Sequence, residues 1–285
     1  MPELPEVETV AIGLRELLVG EEIKKVSVLR RESVAYPSNQ KFCRSLVNKK
    51  VSGVRRRGKY LIIELSSSNL GIPEGGADEF LVVHLRMSGR LLMRENGASP
   101  DRFLRIKIDL LSGKELHFED MRVFGRMWYV PPDTLIDDIV SGIGALGVEP
   151  LVELDGDYLK RRFAKKTQPV KNALLDQRII AGIGNIYADE SLFLSGVRPQ
   201  REAGKLRPAE LKRLALTIKS VLWDAIEKGG STLRDYRKAD GVNGNYQHSA
   251  WVYGRYREKC RNCSKMIERI KLGGRSTHFC PGCQK

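Results

Sequence analysis

Residues 104–110, Leu-Arg-Ile-Lys-Ile-Asp-Leu, alternate apolar and charged side chains without a break. In an extended chain, successive side chains point to opposite faces. The pattern therefore predicts a strand with one face in a core and the other toward water. Phe103 extends the run to 103–110, and similar runs stand at 23–29, 60–65 and 80–86. Gly- and Ser-rich breaks at 66–77, 95–101 and 112–114 separate them, and 66–79 reads as a flexible surface loop. Short strands divided by turn signals predict an antiparallel sandwich or barrel.

On either side of this region the pattern is helical. Pro5 suits a first helical turn, and Val7, Val10, Leu14, Leu17 and Leu18 recur at helical spacing, which predicts a helix over 5–18. Pro131-Pro132 and the Gly-rich stretch 142–147 mark a boundary, after which helices are expected at 155–165, 169–177, 185–195, 208–228 and 231–238. The expected fold class is α+β. A β-rich domain spans 1–131, a hinge 132–152, a helical domain 153–254 and a small module 255–285.

With 285 residues, the chain suits one large or two modest domains. Its 41% hydrophobic content is enough for a core and excludes wholesale disorder. Lys and Arg total 49 against 35 acidic residues, a net +14 that suits a polyanion such as nucleic acid, although a solvated basic surface has the same composition. No apolar run reaches the ~20 residues of a membrane span, and no secretory leader is visible, so the expectation is a cytosolic, nucleoid-associated protein.

Four of the five cysteines lie in the last 26 residues, as Cys260-x-x-Cys263 and Cys280-x-x-Cys283 with 16 residues between the pairs. That is the spacing of a four-thiolate zinc site, and one structural zinc ion is expected. Residues 266–272 and 275–279 are strand-like, with Gly273-Gly274 a natural turn between them. Arg275, just past the turn, sits near an exposed tip with Arg269 and Lys271, as suits a hairpin meeting DNA. Cys43 reads as a small buried residue.

The chain opens Met1-Pro2-Glu3-Leu4-Pro5-Glu6-Val7-Glu8-Thr9. This opening, Lys59 in RRGKYL, GIGNIYADE at 182–190 and the terminal ribbon together resemble the bacterial formamidopyrimidine-DNA glycosylases over essentially the whole chain. Leu4 stands where the endonuclease VIII type usually has Gly, which favours the purine-repair branch. The resemblance implies an N-terminal β-sandwich, a helix–two-turn–helix module and a zinc finger, acting as a monomer on damaged double-stranded DNA. It also implies removal of oxidised purines (8-oxoguanine, formamidopyrimidines) through a Schiff base, followed by β,δ-elimination.

Pro2 becomes a secondary amine once Met1 is removed. An α-amino group with an ordinary pKa of ~7.7–8.0 is partly unprotonated at neutral pH and is a usable nucleophile. Glu3, beside it, is the expected general acid and base, and the resemblance implies that Glu6 supports it. These carboxylates, and Glu8, also suit the N-terminal end of a helix dipole, and for Glu8 that is the reading kept. By resemblance, Lys59 contacts the lesion and Arg275 grips the flanking phosphates, both at the catalytic site. Asn185 at a helix start suits a phosphate or an ordinary N-cap, and Lys166 matches a phosphate-contacting lysine. Met87, Arg122 and Phe124 match an inserted triad that fills the hole left by a flipped nucleotide, although Met87 and Phe124 by pattern alone suit a core. Met121, Val123 and Phe103 depart from the family pattern, and no role is carried to Phe103. The rivals are an endonuclease VIII-like pyrimidine-lesion glycosylase and a non-catalytic zinc-ribbon protein that binds damaged DNA.

Overall fold

The computed structural model describes residues 2–67, 79–97, 99, 101–231, 246 and 249–285. The helix expected at 231–238 lies outside the described residues except for Ser231, as does most of the 66–79 loop. Two compact units divide the chain: Met1–Gly144 with Gly229–Gly244, and Ala145–Lys228 with Asn245–Lys285.

In the first unit, helix α1 (Leu4–Leu18) precedes β1 (Ile23–Val28), β2 (Val34–Tyr36), α2 (Asn39–Leu46), β3 (Lys49–Arg57), β4 (Tyr60–Ser67), β5 (Glu79–His84), β6 (Gly89–Arg94), β7 (Leu104–Leu110), β8 (Glu115–Asp120) and β9 (Arg126–Val130). Two four-residue helical turns follow, α3 (Ile136–Ile139) and α4 (Ser141–Gly144). The strands form a four-stranded sheet ordered β1-β7-β8-β6 and a five-stranded sheet ordered β2-β9-β5-β4-β3. All pairings among these strands are antiparallel except that of the short edge strand β2 with β9, which is parallel. Along β7 the residues are alternately buried and half-buried, as the sequence period requires. Ile106, Ile108 and Leu110 share one core with Leu61, Ile63 and Leu65 of β4, Leu81 and Val83 of β5, and Met127 of β9. Into that core α1 places Val7, Val10, Leu14 and Leu18, so the sandwich anchors the helix that Glu3 caps and whose first turn carries Glu6. Burial of such side chains stabilises by about 1.5–3 kcal/mol each, which is what holds the start of the chain still. Cys43 is half-buried at the edge of this core rather than within it, and that partial burial raises its thiol pKa.

In the second unit, α5 (Gly156–Phe163), α6 (Val170–Leu175), α7 (Asn185–Leu194) and α8 (Pro208–Glu227) precede the hairpin β10 (Glu268–Leu272) and β11 (Arg275–Phe279). Helix α7 is buried from Ile186 to Phe193, packed by α6, α8 and β11, so its Asp189 and Glu190 carboxylates lie inside the unit. No helix among the described residues is long and apolar enough to cross a membrane.

Candidate active site and nucleic-acid interface

Chain ends usually fray, but Pro2 and Glu3 are buried here. Glu3 caps α1, and its backbone N–H donates to Glu6 Oε2 at 2.8 Å. The other Glu6 oxygen accepts from the Ser231 N–H at 2.7 Å. Gly230, at φ 79, lies so close that a Cβ there would stand 3.1 Å from Oε1 of Glu6. Glu6 is thus a buried carboxylate whose two oxygens tie the first residues to a segment 225 positions away. Glu8 faces Arg56 of β3, with Nε and Oε2 2.7 Å apart. It is therefore half of a partly shielded ion pair between helix and sheet, and more than a dipole charge.

Lys59 follows from the β3–β4 turn. Arg57 pairs with Tyr60, leaving Gly58-Lys59 as a two-residue turn, and Gly58 adopts φ 56 at its first position. A side chain would be strained there, which explains Gly before Lys. Lys59 is 7% exposed.

His84, absent from the sequence reading, ends the neighbouring strand β5 and pairs with Tyr60. Burial first, then the charges of Arg86 and Lys59, pull its imidazole pKa from 6.5 down to about 3. Nδ1 accepts from the Arg86 N–H at 2.9 Å, so the proton of the neutral ring sits on Nε2, available as a donor. The unfolded chain takes up a proton below pH 6.5 and the folded one only near 3, so stability through this group rises with pH across that window. From pH 7 to pH 5 the folded state loses about 2 kcal/mol by this route. His84→Gln is expected to lose that much less. Hydrogen exchange of the slowest β4 and β5 amides at the two pH values measures it. Equal losses in both proteins would mean His84 is charged when folded.

Met87 lies in the turn between β5 and β6, and Arg122 and Phe124 lie between β8 and β9. Met87 is 41% and Phe124 47% exposed, which sets aside the core reading of both, and the Arg122 guanidinium lies 4.9 Å from the Phe124 ring centroid. Met121 is exposed beside Arg122, Val123 adopts φ 56, and Phe103 packs under Arg102 and Arg105.

In the second unit the N-cap of α7 is Gly184, so Asn185 is the first helical residue and not the cap, which corrects the N-cap reading. Its Nδ2 instead donates to the Ser276 carbonyl at 2.9 Å. Lys171, also missed, is fully buried: Nζ lies 2.7 Å from Asp189 Oδ1 and donates at 2.9 Å to both Ser276 O and Thr277 Oγ1. Asp189 Oδ2 accepts the His278 N–H at 2.9 Å. These bonds register β11, and with it the exposed Arg275 at its start, on helices α6 and α7. Gly273 and Gly274 have φ 55 and 77, the two positive values a tight hairpin turn demands. Glu190 accepts the N–H groups of Trp251, Val252 and Tyr253, and burial pushes its pKa up despite them. Lys166 is half-buried in the loop after α5, near the carboxylate of Asp176.

Cys260, Cys263, Cys280 and Cys283 bring their sulfurs within 4.8 Å of one another. The Cys260–Cys283 and Cys263–Cys280 separations are 3.8 and 3.3 Å. A tetrahedral zinc with Zn–S bonds of about 2.3 Å separates its sulfurs by about 3.8 Å, so the residues present fit that ion.

Three family models match the chain. The formamidopyrimidine-DNA glycosylase N-terminal domain matches residues 1–127, its H2TH domain 146–237, and a zinc finger found in FPG and IleRS 257–285. The formamidopyrimidine-DNA glycosylase of Gloeobacter violaceus is 49% identical, covering 100% of this chain and 98% of that protein. That of Rippkaea orientalis is 46% identical, with both chains fully covered. A point mutant of the Lactococcus lactis enzyme bound to Fapy-dG DNA superposes with a TM-score of 0.89 at 32% identity over the whole of both chains. The wild-type form of that enzyme bound to DNA containing an oxidised pyrimidine gives 0.88 at 32% identity, again over the whole of both chains. With matched domains along its length and relatives near half-identical from end to end, the chain belongs to the formamidopyrimidine-DNA glycosylase family.

Proposed function

We propose that this DNA glycosylase excises oxidised purines from damaged duplex DNA by attack of the Pro2 amine and then cuts the strand by β,δ-elimination. The observation that carries the reading is the buried start of α1, where Glu6 holds the Glu3 backbone in place and Pro2 is shielded from water. With Met1 removed, the proline nitrogen forms a bond to C1′ of the damaged nucleotide as the bond from C1′ to the base breaks. The electron pair leaves with the base, which takes up the proton that the proline nitrogen gives up. Glu3 protonates the ring oxygen as the sugar opens, leaving an iminium between Pro2 and C1′. That iminium acidifies C2′–H, and its loss expels the 3′ phosphate. A second elimination expels the 5′ phosphate, and hydrolysis frees Pro2 and leaves a one-nucleotide gap with phosphate at both ends.

Around this centre, Lys59 and the neutral Nε2–H of His84 offer a charged and an uncharged donor to a phosphate near the lesion. Arg275, Asn185 and Lys166 serve as further phosphate contacts, and Met87, Arg122 and Phe124 fill the space of the flipped nucleotide. One zinc ion, held by the four cysteines, stabilises the hairpin that presents Arg275.

The test is nicking of duplexes carrying 8-oxoguanine, a formamidopyrimidine or an oxidised pyrimidine, the last included because the Lactococcus enzyme was solved with such DNA. The purine lesions are expected to be cut faster, to a one-nucleotide gap with phosphate ends. Faster cutting at the pyrimidine would establish the endonuclease VIII-like activity instead, and binding without cutting would establish a damage-binding protein.

A further inference from the structure

The two exposed loops of the first unit meet at a buried carboxylate that plays no part in the chemistry above. Asp120, 1% exposed, ends β8, and Ser88, 4% exposed, follows Met87. Ser88 Oγ–H donates to Asp120 Oδ1, and the Arg122 N–H donates to that same oxygen and to Ser88 Oγ, each at 3.1 Å. Asp120 Oδ2 accepts the Gly125 N–H at 2.7 Å, and the Asp120 backbone carbonyl accepts from Arg105 Nε at 2.7 Å. One carboxylate thus binds the loop of Met87 through a hydroxyl and the loop of Arg122 and Phe124 through two amides.

Both loops are confined in further ways. Each contains one non-glycine residue in the left-handed region, Arg86 and Val123, both at φ 56. Such backbones cost about 1–3 kcal/mol each and persist where surrounding bonds over-determine them. Each loop also closes on a glycine with no room for a side chain. A Cβ on Gly89 would collide with the Leu85 carbonyl oxygen, and one on Gly125 would collide with Cζ of Phe118. A buried charge is itself costly unless fully hydrogen-bonded, and these three donors meet that need.

We infer that Asp120, acting through Ser88, is a positioning residue that holds Met87, Arg122 and Phe124 in one rigid arrangement before DNA arrives. The inference rests on the assignment of those three side chains as the inserted group. Flipping a nucleotide costs a few kcal/mol, and loops that had to order at the same moment would add to that barrier. Side chains already fixed by a buried acceptor avoid the addition.

The experiment follows a duplex with 8-oxoguanine opposite 2-aminopurine, whose fluorescence rises when it loses its partner. Ser88→Ala is expected to slow that rise and single-turnover excision about tenfold, as loss of one hydrogen bond to a charged acceptor does, with DNA affinity nearly unchanged. Asp120→Asn, which leaves one accepting oxygen, is expected to slow them less than Asp120→Ala. The same Ser88→Ala change is then made in a background of Met87→Ala, Arg122→Ala and Phe124→Ala. If the clasp acts through the inserted side chains, it slows nothing further there. Equal slowing in both backgrounds would reduce Ser88 and Asp120 to general scaffold residues and overturn the inference. A triple variant that flips as fast as the parent would overturn the assignment of the inserted group and the clasp with it. A slowed triple variant beside an unaffected Ser88→Ala would overturn the clasp alone. Ser88→Ala removes a single hydroxyl, so it decides the matter even if the Asp120 variants do not fold.

Discussion

Glu3→Gln is expected to lower single-turnover base excision by about 10²–10⁴-fold while leaving most of the affinity for lesion DNA, because it removes proton transfer and no phosphate contact. Glutamine keeps the shape and a carbonyl oxygen at the head of α1, so the Glu6 bond to the residue-3 amide can persist. Whatever fall in rate is seen then reports on the proton and not on the fold. The variant should still nick a pre-formed abasic site, where no base has to leave. With the parent protein, borohydride added during turnover is expected to reduce the iminium to a stable protein–DNA cross-link, and peptide mapping should find it on Pro2. The alternative nucleophile is Lys59, buried at the β3–β4 turn. A cross-link at Lys59, or none on any oxidised purine, would remove Pro2 from the mechanism. Retained Met1, read from the mass of the N-terminal peptide, would block the amine outright.

Removal of zinc, by chelation or by Cys280→Ser, is expected to abolish lesion cutting and release the hairpin. Structural zinc contributes roughly 10–16 kcal/mol to the folding of isolated finger peptides, far more than a two-stranded hairpin supplies alone. In this chain the hairpin has a second attachment, the buried Lys171–Asp189 pair with its bonds to Ser276, Thr277 and His278. Loss of zinc should therefore leave α6 and α7 protected from hydrogen exchange while the amides of β10 and the tip of β11 exchange freely. DNA binding should weaken, and its log–log dependence on salt should become shallower by about one unit as Arg275 leaves its phosphate. Metal analysis and binding at several salt concentrations check both points. Metal-free protein that still cuts with the parent's salt dependence would refute the zinc assignment.

Much of this was legible along the chain. The period of two at 104–110 specifies a strand with one face in the core, and β7 is that strand. The helix predicted at 5–18 begins one residue earlier, and those at 185–195 and 208–228 end one residue earlier. Gly273-Gly274 and the paired cysteines marked hairpin and metal site, because turn sterics and thiolate spacing are local properties. Helix α2 escaped notice because only Phe42 and Leu46 of its eight residues are buried, too few to set a period. Strand β8, Glu-Leu-His-Phe-Glu-Asp, alternates polar and apolar residues as far as Glu119, yet all six are buried, which the alternation does not foretell.

The residues that position the site were the least legible. Lys171 finds its acceptors 105 and 106 residues away, Glu190 its donors about 60 away, and Glu6 the Ser231 amide 225 away. Asp120 meets Ser88 across 32 residues. A charged side chain on an apolar helix or strand carries no local mark of whether it faces water or a partner, because the cost of burying it is settled only by donors that folding delivers. Local spacing therefore determined the elements and the chemistry-bearing residue types of this protein. Which partner Glu6 takes at the N-terminal site, and which carboxylate and amine hold the exposed loops and the Arg275 hairpin in place, was decided by the tertiary structure alone.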